Sequence, residues 1–389
     1  MKPKRNIWLM YTIALLQGMV FYGPIATLYR QAAGISIFEI TIIESISLVV
    51  CLLLELPWGV VADKIGYKNT LVFCCFLYFF SKIVFWRANG FAAFLLERIM
   101  LSIVIAGMSG VDTSVLYLSS EESESQKTFG IYNNLQTAGL LFASFVYSFF
   151  VREDYRLAGF LTVVSYGIAA ILSLGLAEVK NADETPRIRL KEFAATIRSI
   201  ATNKRSALFL LGVALLNETH QTITVFLNQL QYKRCGLSDA AIGYIFIGVT
   251  IVGMTGIFSE RLTRKLGVGP LISILYGAAA AACLILAVVK NAWLSVAAVA
   301  LLRISFSLFQ PLQTDLQNKR ILTQNRATEL SLNALFIDCV GVGTNLVYGK
   351  LASVNLSIAL FTGAVLCLIG YCCIRMDHFH RQGREQKNE

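Results

Sequence analysis

Charged and amide side chains interrupt long apolar runs in this chain. If such a run crosses a bilayer, an ionisable group at its centre costs at least about 2.5–3.5 kcal/mol on insertion scales, so it usually faces a cavity or a partner. The residues of this kind that we assign to a substrate or proton pathway are Glu44, Glu55, Arg98, Asp112, Asn217, Glu218, His220, Gln221, Thr224, Asn228, Arg303, Gln310 and Asp338. Their side chains suit solute binding and proton transfer.

The polar residues of the seventh run are spaced as on one face of a helix. Asn217, Gln221, Thr224 and Asn228 are separated by four, three and four residues. Lipid would leave their amides without hydrogen bonds. We therefore expect this stripe to face a central cavity.

Several of these residues also have a structural interpretation. Glu97 and Arg98 are adjacent, and an ion pair inside a bundle is as well supported as a functional role. Glu44 is near the outer end of its run and fits a rim position. Lys82, close to Trp86 at the end of a run, is expected to extend its ammonium group to the membrane interface.

Two other residues remain open between structure and function. Glu55 precedes Pro57 at the inner end of its run, where a gate or packing role competes with proton coupling. His220 is the one histidine inside an apolar run. A structural hydrogen bond is the favoured role for it, although the neighbouring Glu218 supports a functional one.

The composition indicates the class of protein that must position these residues. The 389 residues are 56% hydrophobic and 15% charged, with a mean hydropathy of +0.63. These values exclude a disordered chain and a small disulfide scaffold. The net charge of +10 lies in short loops between apolar runs, which argues against nucleic-acid binding. The nine cysteines lack the spacing of a metal site, so we expect no metal and no cofactor.

Twelve apolar runs are long enough to cross a bilayer as helices, because lipid cannot satisfy backbone hydrogen bonds. They lie near residues 7–29, 38–62, 69–87, 91–117, 129–150, 157–177, 206–231, 239–258, 268–289, 292–316, 328–350 and 355–374. The predicted fold class is an all-α membrane protein. We read the first run as an uncleaved anchor, since it is too long for a signal peptide.

The positive charges predict the orientation of these runs. Of the 34 Lys and Arg residues, 23 fall on one side, 8 on the other and 3 within runs. By the positive-inside rule both termini are cytoplasmic, and we expect a bacterial plasma membrane. The long polar segment 178–205 separates an N-terminal bundle (1–177) from a C-terminal bundle (206–374), with a tail at 375–389. Helical spacing in this linker favours an amphipathic surface helix over a flexible connection.

An internal repeat supports the division into two halves. Gly34-Ile35-Ser36 precedes the second run, and Gly236-Leu237-Ser238 precedes the eighth. The inner ends of the same two runs carry Gly59 to Lys64 and Gly256 to Arg261. This repetition predicts two pseudo-symmetric six-helix bundles.

The segment 59–68, G-V-V-A-D-K-I-G-Y-K, resembles the signature loop of the major facilitator superfamily, a family of twelve-helix secondary transporters. The loop's resemblance rests on Gly59, Asp63, Lys64, Gly66 and Lys68. Tyr67 departs from the family pattern, which usually has a basic residue there.

The second copy of the loop is looser. It keeps Gly256, Glu260 and Arg261, but has no glycine where Gly66 would align. The resemblance implies that the two copies form a cytoplasmic gate. It also implies that Asp63 lies against the start of the eleventh helix, near Arg326.

The resemblance implies a secondary transporter, not an enzyme, acting by alternating access on a small organic solute. No phosphate-binding loop is present, so ATP does not drive it directly. The carboxylates favour proton coupling, and the mixture of aromatic and amide residues favours export of amphipathic compounds. A proton-coupled importer of a polar metabolite and a non-transporting membrane sensor are the alternatives. We expect a monomer whose partners are the solute, protons and the bilayer, without nucleic acid.

Overall fold

The computed structural model describes residues 4–120, 125–179, 204–320 and 326–388. Within these ranges, side chains are not described at 55–56, 59–60, 62–63, 125–126, 204–205, 326–332 and 377–388. Residues 180–203 of the predicted linker are not described, so the surface helix predicted there lies outside the described residues.

Each of the twelve predicted runs contains helix, and the described residues form no strand. The helices are α1 (Lys4–Ala32), α2 (Ile37–Ile65), α3 (Tyr67–Arg87), α4 (Gly90–Ser119), α5 (Ser125–Val146 continued by Tyr147–Val151), α6 (Tyr155–Ser173), α7 (Lys204–Gln221 continued by Thr222–Leu227 and Asn228–Arg234), α8 (Asp239–Leu266), α9 (Val268–Val288), α10 (Ala292–Arg320), α11 (Arg326–Val354) and α12 (Leu356–Asn388). The last of these continues beyond the predicted end of its run at residue 374.

Ten of these helices are long and apolar enough to cross a membrane by composition alone, within the part of the chain that is described. The two others are α7 and α11, which carry much of the polar pattern found in the sequence. Their lower hydropathy is a consequence of those polar residues. The prediction of an all-α membrane protein with twelve helices is confirmed.

The helices form two compact units, and the first contains Met1–Thr185 together with Ser238–Ile247. In it α1 packs on α5 and α6, α2 on α4, and α3 on α4 and α6. Its core is apolar, with Met10, Leu71 and Val115 almost fully buried. The segment Ser238–Ile247 is bound by the hydroxyl of Tyr155, which donates to Asp239 over 2.5 Å.

The second unit contains Pro186–Leu237 and Gly248–Glu389. In this unit α7 packs on α11 and α12, α9 packs on α10 and α12, and α8 packs on α10. The compact units differ from the predicted domains at Ser238–Ile247, which is grouped with the first unit. The domain limits predicted from the sequence stay predictions.

Two turns repeat between the halves with the same backbone geometry. Gly34 and Gly236 have φ values of 91° and 83°, and in each case the next residue donates to a carbonyl five positions earlier. This is a helix C-terminal motif that favours glycine, since other residues are strained at positive φ. Gly66 and Gly267 likewise begin α3 and α9 with φ values of 87° and 82°.

Gly267 corrects the alignment of the second loop. The glycine expected opposite Gly66 is present, but it follows Gly256 by eleven residues, whereas Gly66 follows Gly59 by seven. The two halves have nearly the same length between their turn glycines, because Gly66 follows Gly34 by 32 residues and Gly267 follows Gly236 by 31. Gly267 is therefore the counterpart of Gly66, and Gly256 does not occupy the position of Gly59.

Candidate functional site

The buried charges of the first unit centre on Glu44. Its two oxygens contact different arginines: Oε1 accepts from Arg30 Nη1 over 3.2 Å, and Oε2 accepts from Arg98. Glu44 is 5% exposed and Arg30 is 6% exposed. Glu44 is therefore the shared counter-ion of two arginines from α1 and α4, not a rim group.

A second ion pair joins α3 to α4 in the same unit. The ammonium group of Lys82 lies 3.8 Å from Glu97 Oε1 and donates to the hydroxyl of Tyr22 over 3.1 Å. The rings of Tyr78 and Tyr166 face it, with centroids 4.8 and 5.2 Å away. The expectation that Lys82 reaches the membrane interface is wrong, because its side chain is 4% exposed inside this cage.

The adjacent residues Glu97 and Arg98 do not pair with each other among the described contacts. Glu97 binds Lys82, and Arg98 binds Glu44. Successive helical positions point about 100° apart, so each side chain reaches a different neighbour.

Asp112 lies where α4 is interrupted. The helix ends at Met108, passes through Gly110 in the left-handed region, and starts again at Val111. Asp112 is partly buried, and its Oδ1 accepts from the backbone N–H of Thr113 over 2.6 Å. It stands in the first turn of the second segment, where a negative charge is favoured. The side chain of Glu55 lies outside the described residues.

The acidic residues of the second unit face each other from α7 and α11. A Cβ added at Gly341 would lie 2.8 Å from the carboxyl carbon of Glu218, so this carboxylate occupies the space that glycine leaves on α11. Asp338, three residues earlier on the same helix, interacts electrostatically with Glu218. Among the described residues, Glu218 has no cationic partner.

His220 and Arg303 meet in the same unit. Arg303 Nη1 lies 3.1 Å from His220 Nε2, and the imidazole stacks on Phe306 with ring centroids 3.8 Å apart. A guanidinium can only donate, so Nε2 accepts and the imidazole proton is on Nδ1. His220 is 2% exposed, and the structural role favoured for it stays a prediction.

The polar stripe of α7 is interrupted by a π turn. Thr222–Leu227 adds a residue to the turn, so the spacing of four, three and four does not keep these side chains on one face. Gln221 is exposed, whereas Thr224 and Asn228 are 8% and 7% exposed. Asn217 keeps a buried Oδ1 without a partner in the described part of the chain. The orientation of this stripe towards a cavity stays a prediction.

Gln310, on α10, is exposed. It lies seven residues beyond Arg303, which is about two helical turns along the same face. Its role in a solute pathway also stays a prediction.

The first signature loop contacts a residue that the sequence reasoning did not select. Glu178, just after α6, approaches the start of α3: its Oε1 lies 3.4 Å from the backbone nitrogen of Lys68. A Cβ at Gly66 would lie 2.8 Å from Glu178 Oε2. Carboxylates are stabilised at helix N-termini, and the sequence signal was the first acidic residue after the sixth run. Lys64 is exposed.

The other gate residues divide into two groups. The side chains of Asp63, Gly59 and the start of α11 lie outside the described residues, so their expected contact stays a prediction. In the second copy, Gly256 lies against α10, where a Cβ would be 2.8 Å from the carbonyl oxygen of Ser307. Glu260 pairs with Arg264 at 3.7 Å on an exposed surface, and Arg261 is also exposed.

The chain belongs to the Major Facilitator Superfamily, whose family model matches residues 7–344. This confirms the resemblance carried by the signature loop. A protein described as an uncharacterized MFS-type transporter of Methanocaldococcus jannaschii is 25% identical over 179 residues. The match covers 44% of this chain and 45% of that relative, so it spans less than half of the relative's length.

Solved structures of transporters share the fold. A mutant of the nucleoside transporter NupG has a TM-score of 0.83 at 15% identity, covering 96% of this chain and all of that one. A bacterial homologue of the human lysosomal transporter Spinster has a TM-score of 0.69 at 15% identity, covering 97% and 96%. The human organic anion transporter MFSD10 has a TM-score of 0.61 at 13% identity, covering 96% and 100%. These identities support the fold alone.

Proposed function

We propose that the protein is a secondary transporter that moves a small organic solute across a membrane by alternating access, coupled to protons. Membership of the superfamily and the buried ionisable groups of α7, α10 and α11 support this function. A buried carboxylate favours its neutral form more than a solvated one does, so it can take up and release a proton as its surroundings change.

The burial of the Glu218 carboxylate is the observation that best supports proton coupling. It is 9% exposed, lies against the backbone of α11 at Gly341 and interacts with Asp338. Two interacting acidic groups disfavour double ionisation, so protonation of one of them would relieve their repulsion. Of the four carboxylates considered for coupling, which also include Glu55 and Asp112, these two support it best.

The test is solute flux into proteoliposomes with and without an imposed pH gradient, beginning with a screen of labelled solutes. Glu218→Gln and Asp338→Asn are expected to keep solute exchange but to lose acceleration by the gradient. Asp315→Asn is the matched control, because Asp315 pairs with Lys319 at 2.6 Å on an exposed surface of α10. Gradient-driven flux that persists in both variants would contradict coupling through this pair.

Export of amphipathic compounds is the direction and solute class that we propose. Phe142, Phe145 and Phe149 are exposed on one side of α5 and offer aromatic surface to such compounds. Proton-coupled import of a polar metabolite is the second candidate. It is favoured by the exposed amides of Gln221 and Gln310, and the nucleoside transporter NupG has the same fold. Flux in right-side-out and inverted vesicles distinguishes these directions.

We also propose that both termini are cytoplasmic in a bacterial plasma membrane and that the protein acts as a monomer. The distribution of Lys and Arg between the loops supports the orientation. Labelling of single cysteines placed in the loops, with a reagent that does not cross membranes, tests it. A non-transporting sensor of the same fold would bind a solute but would show no flux in the proteoliposome assay.

A further inference from the structure

Arg303 is a guanidinium without a carboxylate partner in the described part of the second unit. Its one hydrogen bond there is to His220. The paired arginines of the first unit are different, because Arg30 and Arg98 share Glu44.

The surroundings of Arg303 hold the guanidinium in place and leave donors free. A Cβ added at Gly253 would lie 2.5 Å from Arg303 Nε and 2.8 Å from Nη2. The guanidinium therefore fits at this position because residue 253 is a glycine. On the other edge, Nη1 is bound to an imidazole that is itself stacked on Phe306. Of the five N–H donors of a guanidinium, one on Nη1 is used by His220, and the donor on the buried Nε lies against Gly253. The donors left for a ligand are therefore those of Nη2 and the second one of Nη1.

We propose that Arg303 binds the anionic group of the transported solute, and that this group is a carboxylate on an apolar body. The inference rests on the proposed transport function and adds the solute class to it. A half-buried cation within a membrane-spanning helix is stabilised by a counter-charge, and the described residues supply none. The planar guanidinium matches a carboxylate, and Phe306, which stacks on the neighbouring His220, offers an apolar surface in the same unit.

The test measures binding to the purified full-length protein in detergent at one pH, without a gradient. Benzoate, phenylacetate and octanoate are each compared with their own amide by the shift in thermal unfolding temperature. We expect the acids to stabilise the protein more than the amides. In Arg303→Gln the affinity for the acids should fall roughly tenfold to hundredfold, as for the loss of a charge-assisted hydrogen bond, while the affinity for the amides should not change.

Three further variants separate binding from folding. Arg303→Lys keeps the charge and should retain part of the preference for acids. Gly253→Ala keeps Arg303 but fills the space at its edge, and should weaken acid binding. Arg234→Gln is the matched control, because Arg234 is occupied by Ser357 and by backbone carbonyls of the same unit.

The proposal is overturned if none of the three acids binds at millimolar concentration, if the amides bind equally well, or if the preference for acids survives in Arg303→Gln. Acid binding that depends on Arg303, together with flux that ignores a pH gradient, would leave this inference standing and refute the proton coupling.

Discussion

The contact between the first and fifth helices is built differently in the two halves of the chain. In the first unit, α1 and α5 meet through Gly18 and Gly139, and a Cβ on either would collide with the backbone of the other helix. In the second unit, Gly341 of α11 instead faces the carboxylate of Glu218 on α7. One contact is backbone against backbone, and the other contains an ionisable group.

The charges follow the same division. In the first unit Glu44 holds two arginines and Glu97 holds Lys82. In the second, Glu218 has an acidic neighbour and Arg303 has an imidazole, and the described residues contain no ion pair for either. The charges of the first unit are thus held in ion pairs, whereas those of the second are the groups that we propose to exchange protons and ligands.

Glu44→Gln is expected to have the largest effect on stability. It removes the counter-ion of two arginines, and breaking a buried ion pair from one side costs about 3–5 kcal/mol. Thermal unfolding in detergent, followed by tryptophan fluorescence, measures it. Glu218→Gln is the matched variant and should be near neutral. Equal losses in the two variants would remove the distinction between the units.

Gly139→Ala comes next. Its methyl group would collide with the backbone at Leu15, which cannot turn aside as a side chain can, so we expect a loss of about 1–3 kcal/mol or more. Gly130→Ala on the same helix is the control, because a Cβ there meets nothing within 4 Å. Unfolding temperatures that do not differ between these two variants would refute the close α1–α5 contact.

Gly341→Ala should change function more than stability. The methyl group meets the end of the Glu218 side chain, which can move, so the stability change should be below about 1 kcal/mol. The displaced carboxylate should lose its position beside Asp338, and gradient-driven flux should fall several-fold. Gly343→Ala, with nothing within 4 Å of its Cβ, should behave as wild type. Normal gradient-driven flux in Gly341→Ala would contradict the role given to this contact.

Asp63→Asn is the smallest expected change. If Asp63 lies against the start of α11, its charge contributes about 0.3–2 kcal/mol to the state closed to the cytoplasm. The variant should then favour the inward-open state by at most roughly thirtyfold. Spin labels at the cytoplasmic ends of α4 and α10 would report this as a changed distance distribution. Glu260→Gln should act more weakly, and an unchanged distribution in Asp63→Asn with normal transport would exclude the latch.

Hydropathy and glycine spacing were sufficient to predict the helices and the repeat. The twelve runs required helix because lipid leaves no other backbone solution. Gly34 and Gly236 stand in the same turn in both halves because each takes a positive φ. These features depend on local sequence, so one sequence reveals them.

The partners of the charged residues could not be predicted in this way. Lys82 was expected at the interface because it is near a helix end, but Tyr22, Glu97 and Tyr166 reach it from other helices. The shared carboxylate of Glu44 and the space at Gly341 are also tertiary features. The π turn of α7 could not be predicted from the spacing of polar residues, because a period of 3.6 residues assumes an unbroken helix.

That π turn sets the register of the C-terminal part of α7. Thr222–Leu227 contains one residue more than the corresponding α-helical turns would need. Its return to α geometry would rotate Asn228–Arg234 by about 100° around the helix axis and advance it by about 1.5 Å. Asn228 would then exchange its buried position for a different side of the helix. A screw motion of a single turn can thus change which side chains α7 presents, while the rest of the helix stays in place.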